Sequence, residues 1–169
     1  MEKIQEIIIR KNFKNVATIM NRYGETEEMT EGTPNINEVL QGIADLNKNG
    51  IGLLDIYAGL SREGVTKIKN IESMYLYLNG EWLKEPVIDI SLPEVNPIPF
   101  KSDSWVLGEY IVKQRTGKNI PKRFLKSQKL LDTFSGDDEI LRKLLVLNPE
   151  NRSYTWELIK EQPITCTIQ

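Results

Sequence analysis

The sequence predicts a mainly α, α+β domain in which helices gather round one buried central helix and a few short strands lie beside them. Three observations lead there. The stretch 101–117, KSDSWVLGEYIVKQRTG, places Trp105, Val106, Leu107, Tyr110, Ile111 and Val112 so that almost no polar face is left, and a helix apolar nearly all round belongs inside a domain. Two other stretches carry apolar stripes at helical spacing: Ile36, Val39, Leu40, Ile43 and Leu46 in one, Ile140, Leu141, Leu144 and Leu145 in the other. Between the first stripe and the central helix the apolar runs are short and broken by glycine and proline, as strands are. At 169 residues, 40% hydrophobic and 27% charged, the chain 1–169 reads as one domain with a core of its own.

Taken in order, residues 1–10 space Ile4, Ile7 and Ile8 for a helix, with Ile9 beside them, and 16–20 reads as a short strand. A polar hinge follows, 21–33, with Glu25, Glu27, Glu28 and Glu31 between Gly24 and Gly32. Its carboxylates lack the interleaved oxygens of a cation-binding loop, so it reads as a solvated acidic loop. Thr33 and Pro34 open the next helix, as cap and first helical residue. That helix ends over 47–52, with glycines at 50 and 52. The runs 51–57 and 65–71 flank a turn at 61–64 and form a hairpin-like pair, and 74–78 and 86–92 are further extended pieces. Pro97 and Pro99 separate these from the central helix, where Ser102 reads as the N-cap and Asp103 faces the positive end of the helix dipole. From Lys113 to Lys129 the chain carries Lys113, Arg115, Lys118, Lys122, Arg123, Lys126 and Lys129 and no carboxylate. Ser135 then caps a helix with Asp137, Asp138 and Glu139 in its first turn, Asn148-Pro149 stops it, and 154–160 is a last short helix carrying Trp156, Leu158 and Ile159.

Composition excludes several chemistries. There is no histidine, so Ser-His-Asp, Cys-His and histidine–metal sites are impossible within the chain. The single cysteine, Cys166, rules out an internal disulfide and suits a cytoplasmic setting. No run is long enough to span a bilayer, and the charged, interrupted residues 1–10 do not read as a secretory signal. A net charge of -2 offers no global attraction to nucleic acid. The basic run holds one aromatic residue, Phe124, too few to stack single strands, and reads first as a solvated loop and helix face. Trp82, Trp105 and Trp156 read as core.

Ser102, Asp103, Trp105 and Gly108 form Ser-Asp-x-Trp-x-x-Gly, which resembles the central helix of the protein-kinase large lobe. The stretch 145–159, LVLNPENRSYTWELI, resembles the end of that lobe, with Pro149 and Arg152 in the pattern's positions. Leu92-Pro93-Glu94 resembles the Ala-Pro-Glu that closes the activation segment, nine residues ahead of Asp103. Upstream, 50–72 resembles the catalytic loop and magnesium-binding strand, with Asp55 on the catalytic aspartate and Asn70-Ile71-Glu72 on Asp-Phe-Gly. The likeness spans roughly 34–164. It implies a kinase C-lobe-like helical bundle with no complete N-lobe, residues 1–33 being a possible remnant of the small lobe or hinge. It further implies a Glu94–Arg152 ion pair, Asp103 accepting from backbone N–H groups of the 53–55 loop, and packing roles for Trp105, Gly108 and Pro149.

The departures from the family pattern fall on its chemistry. Phosphoryl transfer depends on positioning and charge neutralisation, so its parts list is strict. Only about fifty residues precede Asp55, and no glycine-rich phosphate loop or Val-Ala-x-Lys exists. Leu53-Leu54 replace His-Arg, Leu60 replaces the metal-binding asparagine, and Asn70 replaces the metal-binding aspartate. Asp55 alone survives, and reads as satisfying donors in its own loop. The resemblance therefore implies an inactive pseudokinase without cofactor or metal, one that binds and modulates a signalling protein, a kinase among the possibilities. The alternatives are a truncated kinase mimic, of the viral kind included, that attaches to a host kinase and inhibits it; a phosphotransferase with residual activity; or a nucleic-acid-binding protein acting through 113–129. The face around Asp55, Leu60 and Ile71 is expected to be open unless residues 1–20 fold over it. Leu60 and Ile71, with Lys118, Lys122, Arg123 and Lys126, are the candidate partner-binding residues, and Leu53, Leu54, Leu60 and Ile71 form either an apolar patch or core.

Overall fold

The structure, a computed structural model, describes residues 2–18, 29–30, 32–69, 71–88 and 91–159. It is an α+β arrangement of helices and two small antiparallel sheets. Helix α1, Glu2–Lys11, turns Ile4, Ile7 and Ile8 into the core. The chain then runs along the second sheet: Val16 makes a single parallel bridge to Ile68, and the Ala17 N–H donates to the Ile68 carbonyl at 2.8 Å. Residues 17–18 of the expected 16–20 strand belong to no strand, and residues 19–20 and the hinge glutamates Glu25, Glu27, Glu28 and Glu31 lie outside the described residues. The N-terminal segment therefore packs beside the strand that holds Ile68, while Asp55 and Leu60 stay half-buried.

Helix α2, Ile36–Lys48, starts two residues later than expected. Asn35, not Thr33, caps it, its side-chain oxygen accepting from the Glu38 N–H at 3.1 Å, while its own N–H donates to Thr66 Oγ1 at 2.8 Å. Asparagine is as good a cap as threonine, and here it is held by both ends. Pro34 stands before the helix rather than in its first turn.

The expected hairpin of 51–57 with 65–71 divides between two sheets. Strand β1, Ile51–Leu53, pairs antiparallel with β4, Met74–Leu78, which pairs in turn with β5, Glu81–Lys84. Only β2, Ala58–Leu60, and β3, Thr66–Ile68, form the hairpin. Gly52 explains the division. A Cβ at that position would lie 2.1 Å from Cζ of Tyr75, so the bare backbone lets the Tyr75 ring lie across β1 as β4 closes on it. β5 precedes the 86–92 run expected to be extended: 86–88 belongs to no strand, and 89–90 lies outside the described residues.

Helix α3, Lys101–Thr116, is the central helix, and residues 102–108, 111 and 112 are all buried. Ser102 lies within it rather than capping it. The capping position belongs to Phe100, whose backbone is left-handed at φ 66° and whose side chain caps nothing. The segment read as one basic run contains a 3-10 turn, Lys122–Lys126, and the start of helix α4, Gln128–Ser135, capped by Ser127. Ser135 thus ends α4. Helix α5, Glu139–Leu144, is capped by Asp138, whose carboxylate accepts from the Leu141 N–H at 3.0 Å. The last expected helix is a 3-10 turn, Thr155–Leu158. Gly108 sets the spacing of α3 against α5: a Cβ there would meet Leu145 Cδ2 at 2.7 Å and Leu144 Cβ at 3.2 Å. Among the described residues, no helix is long and apolar enough to cross a membrane.

Candidate functional site

Asp103 lies one turn into α3, fully inside the protein. Its Oδ2 accepts from the Leu53 N–H and from Asn47 Nδ2, each at 2.9 Å, and its Oδ1 accepts from the Tyr75 hydroxyl at 2.5 Å. Asn47 also donates to the Ile51 carbonyl at 3.0 Å, and its Oδ1 accepts from Thr155 Oγ1 at 2.6 Å. The Tyr75 oxygen in turn accepts from the Phe100 N–H at 2.8 Å, which holds Phe100 in its left-handed backbone. This network joins α2, β1, β4, α3 and the last 3-10 turn. Burial raises the Asp103 carboxyl to about 6, against the pull of its three donors, and burial together with Asp103 pushes the Tyr75 hydroxyl well above its ordinary value.

Glu94 and Arg152 meet at the other side of the start of α3. Nη1 donates to Oε2 at 2.9 Å and Nη2 to Oε1 at 3.0 Å, with side chains 0% (Arg152) and 7% (Glu94) exposed. The Ser102 hydroxyl donates to the same carboxylate at 2.7 Å while accepting from the Ile98 N–H at 2.8 Å. Burial alone would raise the Glu94 carboxyl, but Arg152 and Ser102 outweigh it and hold the group below its ordinary value. Trp105 lies under the guanidinium, 5.4 Å from ring centre to Cζ. Pro149 opens the 3-10 turn Pro149–Asn151 that leads into Arg152.

The degenerate catalytic positions scatter. Leu53 and Leu54 are core. Ile71 is 5% exposed and offers no surface to a partner, contrary to expectation, because it belongs to the hydrophobic core. Leu60 is half-buried, its carbonyl accepting from the Thr30 N–H at 2.8 Å. Asn70 lies outside the described residues. Asp55 lines a cavity of about 470 Å³ together with Leu54, Ile56, Val106, Glu109, Lys113, Ile120, Lys122 and Leu125. Sequence reasoning missed Glu109 in this cavity. Burial raises its carboxyl to about 7, and the Trp105 indole N–H, one turn back, draws it down only partly, without normal hydrogen-bond geometry. The helical offset of four from Trp105 was the only signal for it.

The cations Lys118, Lys122, Arg123 and Lys126 are exposed, as expected of a charged rim. Arg115 pairs with Asp138, and Arg123 lies over the Phe124 ring at 4.7 Å. Among the described residues no group of three or more acidic or cysteine side chains could hold a metal. No protein-family model matches the chain, and no curated protein matches it in sequence.

Proposed function

We propose that the chain is a non-catalytic, kinase large-lobe-like module that binds and modulates a signalling protein. The reading is carried by the pairing of Glu94 with Arg152, a contact between residues 58 apart that the family resemblance implies and that no local pattern would require. The hydrogen bond from the Leu53 N–H to Asp103 supports it in the same way. The positions where the family places its chemistry support the absence of catalysis: Leu53 and Leu54 fill core, and Asp55 has leucines where the family places histidine and arginine. A lobe that keeps its ties and loses its phosphate-handling groups retains binding as its use.

The test is a thermal-shift titration with Mg-ATP. A ligand raises the melting midpoint only by binding the native state, so the midpoint is expected to stay constant. A saturable rise that a chelator reverses would overturn the reading.

A further inference from the structure

We propose that the 470 Å³ cavity beside α3, with the cationic segment on its rim, docks an extended acidic peptide segment that carries one apolar anchor residue. The proposal rests on the protein-binding reading above and gives the partner a chemistry.

The cavity supplies shape. Leu54, Ile56, Val106, Ile120 and Leu125 give it an apolar lining suited to a large side chain. Its mouth supplies charge. Lys113 and Lys122 belong to the lining, and Lys118, Arg123 and Lys126 stand exposed on the same segment. The seventeen residues from Lys113 to Lys129 hold seven cations and no carboxylate, in a chain whose formal charge is -2. Of these seven, Arg115 alone is ion-paired to a carboxylate among the described residues. Like charges gathered this way repel one another, and an acidic partner relieves the repulsion while steering the encounter.

The two carboxyl groups of the cavity, Asp55 and Glu109, set the register. Asp55 and the ionised fraction of Glu109 oppose entry of an acidic side chain, so the acids of the peptide stay on the rim and the apolar residue goes in. The same feature argues against the other polyanions. A lipid headgroup or nucleotide phosphate entering the cavity would meet those carboxyls, and Tyr110 is the one ring in the lining on which a base could stack.

The experiment is fluorescence anisotropy with the full chain and a labelled peptide of about twelve residues, glutamates flanking one central leucine. Saturable binding is expected, weakening about tenfold between about 50 and 200 mM salt as screening rises. Replacing the leucine by serine, or the glutamates by glutamines, should each weaken it about tenfold. Lys122→Glu combined with Lys126→Glu should do the same with an unchanged circular dichroism spectrum, since both side chains are exposed. Absence of saturation at millimolar peptide, equal binding of the glutamine peptide, or indifference to the double substitution overturns the proposal. So does tighter binding of a single-stranded oligonucleotide or of phosphatidylserine vesicles than of the peptide. A physiological partner still captured by the Lys122→Glu, Lys126→Glu protein would overturn this docking site while leaving the protein-binding reading standing; a chelator-reversible Mg-ATP shift would overturn that reading instead.

Discussion

Arg152 meets Glu94 through two parallel hydrogen bonds, and its three remaining N–H groups also find acceptors. Nη1 donates a second time to the Lys101 carbonyl at 2.8 Å, Nε to the Val146 carbonyl at 2.9 Å, and Nη2 to the Leu147 carbonyl at 3.5 Å. The Lys101 ammonium returns the contact by donating to the Arg152 carbonyl. A guanidinium out of water is tolerable only when every donor is used, and here each one is. The pair fixes the chain before α3 to the chain after α5.

Removing one member of this pair strands a charge in the interior. Arg152→Ala is expected to cost roughly 3–5 kcal/mol, and Glu94→Ala a comparable amount. The double variant should cost clearly less than the two together, because the second removal abolishes a charge already orphaned. Urea unfolding of the four proteins measures this. Additive and near-neutral effects would place the two residues apart in solution.

Asp103 makes stability depend on pH in the direction opposite to that of a salt-bridged carboxylate. Its carboxyl stands at about 6 in the folded chain against an ordinary 3.8. Between those values the native state holds a proton that the unfolded chain has released. The contribution of this group is therefore complete below the lower value and is lost as pH rises through the upper one. Two units correspond to about 3 kcal/mol. Asp103→Asn cannot titrate, so the stability difference, wild type minus variant, should fall by about 2 kcal/mol from pH 4 to pH 6.5, the rest lying outside that window. Disturbance of the Tyr75 contact shifts the whole curve and leaves this slope intact. A flat difference would show that Asp103 is ionised throughout. Glu109→Gln should remove a smaller slope of the same sign, extending to about 7, because part of that group faces the cavity.

Ile71 and Leu60 separate core from surface. Ile71→Asp places a carboxylate where no partner waits, and should cost several kcal/mol or abolish folding. Leu60→Asp, at a half-buried strand end, should cost about 1–2 kcal/mol and leave the fold intact. Circular dichroism melts of the two single variants decide it. Equal tolerance of both would mean that Ile71 is not part of the core in solution.

The central helix was legible because its composition is one-sided in the extreme: the apolar run of 105–107 and 110–112 admits no exposed face. Strand β4 was legible from its unbroken apolar run. The β4–β5 hairpin left a strong signal that went unused, Asn79-Gly80, both with positive φ (54° and 80°) in a two-residue turn. Helix α4 was hidden by charge, since it starts inside the run that reads as basic and its apolar Leu130, Leu131 and Phe134 follow directly after that run. Caps were misplaced by two or three residues where two capping residue types compete, Thr33 against Asn35 and Ser135 against Asp138. The Asp103 network was half legible. Its bond to Leu53 follows from the family resemblance, but Asn47, Tyr75 and Thr155 come from elements that no periodicity connects.

The hydrogen bond from Thr155 to Asn47 joins residues 108 apart in the chain. During synthesis from the N-terminus, Asn47, Leu53, Tyr75 and Asp103 all leave the ribosome before Thr155 does. Until that hydroxyl arrives, the side-chain oxygen of Asn47 must be satisfied by water or remain unmatched inside a partly formed core. The closing loop is long, and its entropy must be met before the contact returns anything. Completion of this polar centre is thereby deferred until Thr155 has been made, and the stretch from Asn47 to Asp103 emerges with its network unfinished.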